Sequence, residues 1–401
     1  MSDKKISRRD FMRLTAGAGL GLVGASALAG CGGPATSAPA PTSAPPPTSA
    51  PAPTSAPPPT SAPAPTAAAP ATKGTYNWMT WSDHYLPAQL EEAASTYGIK
   101  VTPTLFSDNS EAFLKVQQVG GKQIDLVSGD ALWVTKYYQE GLIEGFDLDS
   151  LATSKNLFDV VKQFDFWKAD GKYLAFPFGY SPVLIAYNPK YVSPAPNSWE
   201  ALWDPKYKGK IAMELQPFDV MAMMGKSLGI KDAYNMTADQ VNQAKQQLIK
   251  LKPNILKFVE QNTELVTLMT DESIWFATVN VGMEDRVKDA GGPEVKTFVP
   301  KEGVVGWMDG EMLVKGAANR GPAWGWLDKM ETPEWIAKNF LEYGRPLFNK
   351  AAYDLLVKQG QGDRAKRYLF DKPEVVLSMT LKGPSPNMDL YINAFNEALA
   401  K

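Results

Sequence analysis

From Gly32 to Thr72 the chain uses almost only Pro, Ala, Thr and Ser, in a loose Pro-Thr-Ser-Ala-Pro repeat with no charge and no large apolar side chain. Such a stretch cannot bury enough surface to offset the entropy of ordering it, so it forms no core. It therefore cuts the chain into residues 1–31, the Pro-rich segment itself (taken as 32–73), and a body from residue 74 to 401. Its prolines favour extended polyproline II at about 3.1 Å per residue, so some 40 residues reach roughly 100 Å. The segment reads as a disordered tether, with a mucin-like stalk as the alternative.

Residues 1–31 read as an export signal. Ser7-Arg8-Arg9-Asp10-Phe11-Met12 is a twin-arginine pattern, and Lys4, Lys5 and Arg13 add to its positive end. The apolar stretch Leu14–Ala29 contains Gly17, Gly19, Gly21 and Gly24. It is shorter and richer in glycine than the about 20 strongly apolar residues of a transmembrane helix. It ends in Leu28-Ala29-Gly30-Cys31, which resembles a bacterial lipobox. That resemblance implies lipidation of Cys31, the only Cys, and an extracytoplasmic protein held to the cell membrane. Loss of the leader takes the formal charge from −2 to −5, since Lys4, Lys5, Arg8, Arg9 and Arg13 leave with Asp3 and Asp10.

One Cys and one His exclude a disulfide framework, a Cys-based zinc site and a His-rich metal centre. A catalytic triad would have to use His84, which reads as a loop residue without chemistry. The small net charge gives no general attraction to nucleic acid. No GxGxxG follows a strand, and neither a Walker loop nor a G-x-S-x-G elbow is present. No enzymatic activity, metal or cofactor is expected.

The body alternates short apolar runs with amphipathic ones. Strands are expected at Thr75–Trp78, Ile99–Leu105 and Ile124–Ser128, and helices at Pro87–Tyr97, Glu111–Val119 and Ala131–Glu140. A second unit starts near Val183, with strands at Val183–Tyr187, Lys210–Met213, Ile274–Val281 and Glu294–Phe298 and helices at Pro217–Leu228 and Ala238–Lys250. A strand near Met312–Val314 and helices at Gly321–Met330, Glu334–Tyr343 and Leu390–Leu399 follow. This rhythm indicates an α/β fold with parallel strand pairs. Its length calls for two lobes, and a small ligand fits the cleft between them.

Several stretches resemble the spermidine/putrescine-binding proteins, the periplasmic binding components of ABC importers. They are Tyr76-Asn77-Trp78, Gly98-Ile99-Lys100-Val101, Asp125-Leu126-Val127, Asn197-Ser198-Trp199-Glu200-Ala201-Leu202-Trp203 with Lys206-Tyr207-Lys208-Gly209-Lys210, and Pro300-Lys301-Glu302-Gly303 leading to Trp307-Met308-Asp309. The resemblance implies a two-lobed periplasmic-binding-protein-like fold, hinge-linked, with the ligand in the cleft. Lobe 1 would hold 74–182 and 306–345, lobe 2 would hold 183–305, and 346–401 would be a helical region packed on both. The chain would cross between lobes near Tyr180–Val183 and Val304–Asp309.

In that family aromatic rings sandwich a polyamine's methylene chain and carboxylates take its ammonium ends, as cation–π and charge-pairing physics requires. Trp78 matches a cleft aromatic, Trp307 the stacking tryptophan, Asp309 the acid after it, and Asp219 lies near a lobe-two acid. The chain departs from the pattern elsewhere. Thr80 and Trp81 stand where the family has Glu and Tyr, Gln216 replaces an acid, Val279 a tryptophan and Arg345 a tyrosine. Asp130 is an added acid at a strand end. Trp133 is left open between core and cleft. The ligand implied is a small organic cation, with putrescine or spermidine leading and Asp309 as main charge partner. An amino-acid-like zwitterion, its carboxylate on Arg345, is the first alternative. A structural or adhesive lipoprotein is the second. The partners implied are an ABC permease and ATPase, with the binding protein a monomer.

Overall fold

The structure, a computed structural model, describes residues 72–401. The signal expected over 1–31 with Cys31, and all of the tether expected over 32–73 except its last two residues, lie outside the described residues.

Strand β1 (Gly74–Thr80) runs parallel between β2 (Ile99–Leu105) and β3 (Leu126–Asp130). Tyr76, Trp78, Met79 and Thr80 are all buried, the near-continuous burial of a strand covered on both faces. The connections carry their own stop and start signals. The helix from Pro87, with proline in its first turn, runs to Glu92, continues as a π-helical turn over Ala93–Tyr97 and stops at Gly98, whose φ of 69° suits glycine. The Asp108 carboxylate accepts from the amides of Ser110 and Glu111 and caps the helix Asn109–Val119. A helix over Ala131–Gln139 leaves β3 directly.

After the small hairpin of β4 (Lys168–Ala169) and β5 (Lys172–Tyr173), the chain passes through β6 (Phe176–Pro182) into a second sheet. That sheet holds β7 (Leu184–Tyr187), β8 (Ile211–Glu214), β9 (Ile255–Val259), β10 (Phe276–Val279) and β11 (Lys296–Phe298), in the order β11-β7-β10-β8-β9. Here β8 is parallel to β9 and β10, and β7 is antiparallel to β10 and β11. The chain returns to the first sheet as β12 (Val304–Leu313) and later β13 (Met379–Leu381), completing the order β13-β12-β3-β1-β2 with β6 also on β12. The result is a two-lobed α/β fold, each lobe with its own sheet.

The last helix, Met388–Ala400, buries Tyr391, Ala394, Phe395 and Ala398 in the second lobe's core, the spacing of one helical face. The helices after Arg320 divide their apolar residues. Trp326 and Leu327 join the first lobe's core, whereas Phe340, Ala352 and Leu356 pack with Leu184, Ala186 and Val279 of the second sheet. Val279, where the resemblance implies a tryptophan, is therefore core.

The short strands β4, β5, β9 and β13 lie outside the sequence reading, and two further elements differ from it. The strand expected only near Met312–Val314 is ten residues long and starts at Val304, so Trp307 and Asp309 sit on a strand. β6 is a strand where the sequence reading has only a crossing near Tyr180–Val183; it pairs with β12 on one side and, through Phe178 to Tyr180, with the segment Pro346 to Phe348 on the other. The two crossings run side by side. Val183 donates to the Val305 carbonyl at 2.9 Å, and Gly306 faces Pro182 in register. Val305 belongs to the second core and Met308 to the first, so β12 links both.

A Cβ on Gly306 would stand 2.7 Å from the Ser181 carbonyl oxygen and 2.6 Å from Met379 Cε. Gly306→Ala should therefore push the paired crossings apart and cost about 1–3 kcal/mol, read as a lower urea midpoint. An unchanged midpoint would mean that the crossings are not packed this closely.

Candidate functional site

Between the lobes lies a cavity of about 610 Å³. Its walls come from loop ends and helix starts of both lobes: Trp81 and Asp83 after β1, Ser107 to Ser110 after β2, Asp130 and Trp133 after β3, Asp219 and Tyr234 of the second lobe, Trp307 and Asp309 on β12, and Arg345 and Lys382 near the chain end. Strand ends of parallel sheets present such crevices.

Trp307 is the one residue of β12 that is not buried, and its ring faces the cavity wall with the Arg345 guanidinium 5.8 Å from its centre. Trp81 packs on Phe106 with ring centres 4.4 Å apart, and Trp133 on Phe113 at 5.6 Å, so these two are braced from behind while lining the cavity.

Asp309 is differently placed from the ligand's main charge partner expected of it. Its Oδ1 accepts from the Gly179 amide at 2.7 Å, and its Oδ2 from His84 Nε2 at 3.0 Å and Arg345 Nη1 at 3.1 Å. Only 2% of it is exposed. Burial alone would raise its carboxyl, but the His84 and Arg345 charges and the bonds from His84 and Gly179 outweigh that and hold it below the ordinary value. The carboxylate is already compensated from within.

His84 lies in the turn after β1, as read from the sequence, but it has a structural role that the sequence did not announce. It is buried, with Nδ1 2.6 Å from Glu311 Oε1 and Nε2 on Asp309, and its ring stacks on Phe178 at 4.4 Å. Burial lowers its pKa, but Asp309 and Glu311 more than offset that, against an opposing push from Arg345, and raise it to about 9. His84 is thus an imidazolium donating from both nitrogens at neutral pH.

Trp78 and Thr80 stand behind this network and not on the cavity wall. Both are fully buried; Trp78 Nε1 donates to Glu311 Oε2 at 2.9 Å, Ser128 Oγ donates to the same oxygen at 2.8 Å, and the Thr80 and Ser128 hydroxyls are 2.7 Å apart. They position Glu311 and reach no ligand in this arrangement. Gln216 is exposed, precedes the helix Pro217–Ser227 and also lies off the wall.

The remaining sequence-chosen residues do come together. Asp130 faces Asp309 in the β3–β12 register. Its carboxyl is raised to about 7, chiefly by burial and then by Asp309, with Lys382 and a bond from Asn109 pulling the other way and Asp219 adding to the rise. Among the described residues no cation forms an ion pair with it. Asp219 accepts from the Tyr234 hydroxyl at 3.0 Å and from Lys382 Nζ at 3.1 Å. Arg345 is buried, its Nη2 donating to the Asp83 carbonyl at 3.1 Å. Asp83, Asp108, Tyr234 and Lys382 were not singled out from the sequence. The only signal for them was nearness to strand ends and glycines, which many residues share. Among the described residues no group of three or more His, Cys, Asp or Glu is placed to hold a metal ion.

Two lobes of this topology around a cavity walled by aromatics and carboxylates define a solute-binding protein. The chain belongs to the bacterial extracellular solute-binding protein family, whose model matches residues 86–363. It is similar to the spermidine/putrescine-binding periplasmic protein of Escherichia coli (strain K12), 28% identical over 299 residues that cover 72% of this chain and 82% of that protein. It is also similar to a putrescine-binding periplasmic protein of the same organism, 27% identical over 285 residues covering 67% and 76%. Among solved structures it shares its fold with a spermidine/putrescine ABC transporter substrate-binding protein from Streptococcus pneumoniae, at a TM-score of 0.68 and 21% identity over 81% of this chain and 98% of that one. A lipoprotein of Treponema pallidum matches at 0.62 and 19%, over 82% and 98%.

The buried charges predict how stability follows pH. His84 is raised from 6.5 to about 9, so its contribution is complete below 6.5 and disappears as pH rises through 9. Glu331, raised to about 8 by burial and then Glu311, and Asp130, raised to about 7, also hold protons that the unfolded chain releases. Rising pH therefore costs stability through Asp130 up to about 7, through Glu331 up to about 8 and through His84 from 6.5 up to about 9, so together they make the folded body less stable from pH 6 to 9; Asp309, held low, acts only in acid. Melting temperatures of the ligand-free protein should fall across that window. His84→Gln should cost about 3–5 kcal/mol at pH 7 by leaving two buried carboxylates face to face, and should flatten the slope above pH 7. A stability that is level or rising to pH 9 would refute the charged His84.

Proposed function

We propose that this chain is the extracytoplasmic binding component of an ABC importer and captures a small organic amine between its lobes, with putrescine or spermidine the leading candidate. The carrying observation is the charge of the walls: Asp83, Asp108, Asp130, Asp219 and Asp309 against Arg345 and Lys382. An acidic, partly desolvated cleft attracts a cation and rejects an anion. The names of the curated relatives, which bind spermidine or putrescine, support the amine.

Within the cleft Asp130 is the acceptor of first resort. Its carboxyl is held back from ionising because its neighbours are acids, and an arriving ammonium supplies the compensation it lacks. The faces of Trp81, Trp133, Trp307 and Tyr234 offer cation–π contact and a dry wall for methylenes. His84 is a clamped cation with no free nitrogen to act as a base. The zwitterion reading is weaker, because both terminal nitrogens of Arg345 already donate, one to Asp309 and one to Asp83.

The rest of the reading is architectural. Lipid on Cys31 anchors the protein, 32–73 holds it off the membrane, 74–182 with most of 306–345 forms one lobe and 183–305 the core of the other, 346–401 packs on both, and the monomer delivers its ligand to a permease and ATPase.

Calorimetry of the chain beginning at Lys73, against putrescine, spermidine, a betaine and a neutral amino acid, tests this reading. Amines should bind, and as tightly as to the full-length protein. Asp130→Asn should lose about 3 kcal/mol, on the order of a hundredfold. Affinity should rise as pH passes upward through about 7, where Asp130 ionises, with proton release on binding below that pH. Binding of anions or neutral sugars alone, or an Asp130→Asn variant that binds amines like the parent, would refute it.

A further inference from the structure

Lys382 follows β13 of the first lobe's sheet, and its amide donates to the Gly306 carbonyl at 3.1 Å, beside the crossing strand and next to Trp307. From that fixed point its side chain reaches across the cavity to Asp219, on the helix Pro217–Ser227 of the second lobe, and stops 3.1 Å from Oδ2. The other oxygen of Asp219 is held by the Tyr234 hydroxyl. Of the cavity's three acids outside the His84–Arg345 network, Asp108 caps a helix and Asp219 is already answered by an ammonium, the same chemical group that the cleft is proposed to capture, which leaves Asp130.

We propose that Lys382 is a specificity-determining residue: a tethered ammonium that occupies the Asp219 subsite, so that a ligand with two amines must displace it whereas a ligand with one does not. This rests on the amine reading above. The geometry suits displacement. The Lys382 side chain is 37% exposed and that of Asp219 18%, so the pair is only partly desolvated and weakly held. A lysine stem is flexible and can swing its ammonium back to water while the backbone stays pinned at Gly306. Because the competitor belongs to the chain, it is present at a high effective concentration and lowers the apparent affinity of any ligand that needs the same acid. Asp130, without a cation of its own, stays open to the first amine. The cleft therefore has one free and one occupied cation subsite, and Lys382 sets the preference between monoamines and diamines.

The test compares butylamine with putrescine by calorimetry for the parent, Lys382→Gln and Lys382→Arg. Lys382→Gln should bind putrescine at least tenfold more tightly and butylamine within about twofold of the parent; Lys382→Arg, which keeps the cation, should show no gain. Putrescine binding by Lys382→Gln alone would also support the proposal. If the parent binds amines but Lys382→Gln gains nothing, gains equally for both ligands, or loses affinity as an anion-binding lysine would, the Lys382 proposal is overturned and the amine reading stands. If neither the parent nor Lys382→Gln binds any amine, both are overturned.

Discussion

Asp309 and Glu311 stand two residues apart on β12 and so point to the same side of a strand that is buried almost throughout. Two carboxylates there cannot both stay ionised without cations brought in beside them. His84 enters between them and donates to each, and Arg345 reaches the outer oxygen of Asp309. Holding the imidazole in place needs Phe178 stacked on its face; holding Glu311 needs donors from Trp78 on β1 and Ser128 on β3. β1, β3, β12, the turn after β1 and the segment at Arg345 are thus brought to one point by one electrostatic requirement.

That requirement sets what the cleft can offer. Asp309 lines the cavity, but its charge is committed to the network beneath it. The attraction for a solute therefore passes to acids with less internal compensation. Asp130 lies opposite Asp309 in register and is pushed towards protonation by burial and by Asp309 itself. Asp219 lies across the cleft and is met by Lys382. The acids of the cavity differ in how completely the chain itself has answered them, and in the proposed reading those differences sort a ligand.

The crossings and the cleft share backbone. Gly306 faces Pro182, admits no side chain, and offers its carbonyl to the Lys382 amide, while Trp307 beside it presents its ring to the cavity. Closure of two lobes needs only a few residues to absorb the dihedral change. Here such a change would act directly on residues that line the cavity. Membership of the solute-binding family, matched across residues 86–363, agrees with that economy.

The sequence by itself set a Pro-rich stretch apart from a body able to fold, because composition alone decides whether a stretch can bury a core. It also determined the α/β class and most elements of both sheets, since apolar periodicity and caps are local signals. Trp307, Asp130, Asp219, Asp309 and Arg345 were found through their place in a recognisable order of motifs, and they line the cavity. What each does was decided only by the tertiary structure. His84 lies 225 residues from Asp309 in the chain, and no local pattern announces that pairing. Trp78 and Thr80 resemble cleft residues in sequence, but β2 and β3 on either side and Glu311 of β12 hold them inside. β6 and the full length of β12 carry no clear local strand pattern; they are strands because each supplies hydrogen bonds to the other. Lys382 looked like any surface lysine until the fold set it 3.1 Å from an acid of the other lobe. Local pattern reports what a segment can become, while the direction a side chain faces and the charge it meets depend on segments far away in sequence, which only the packed fold brings together.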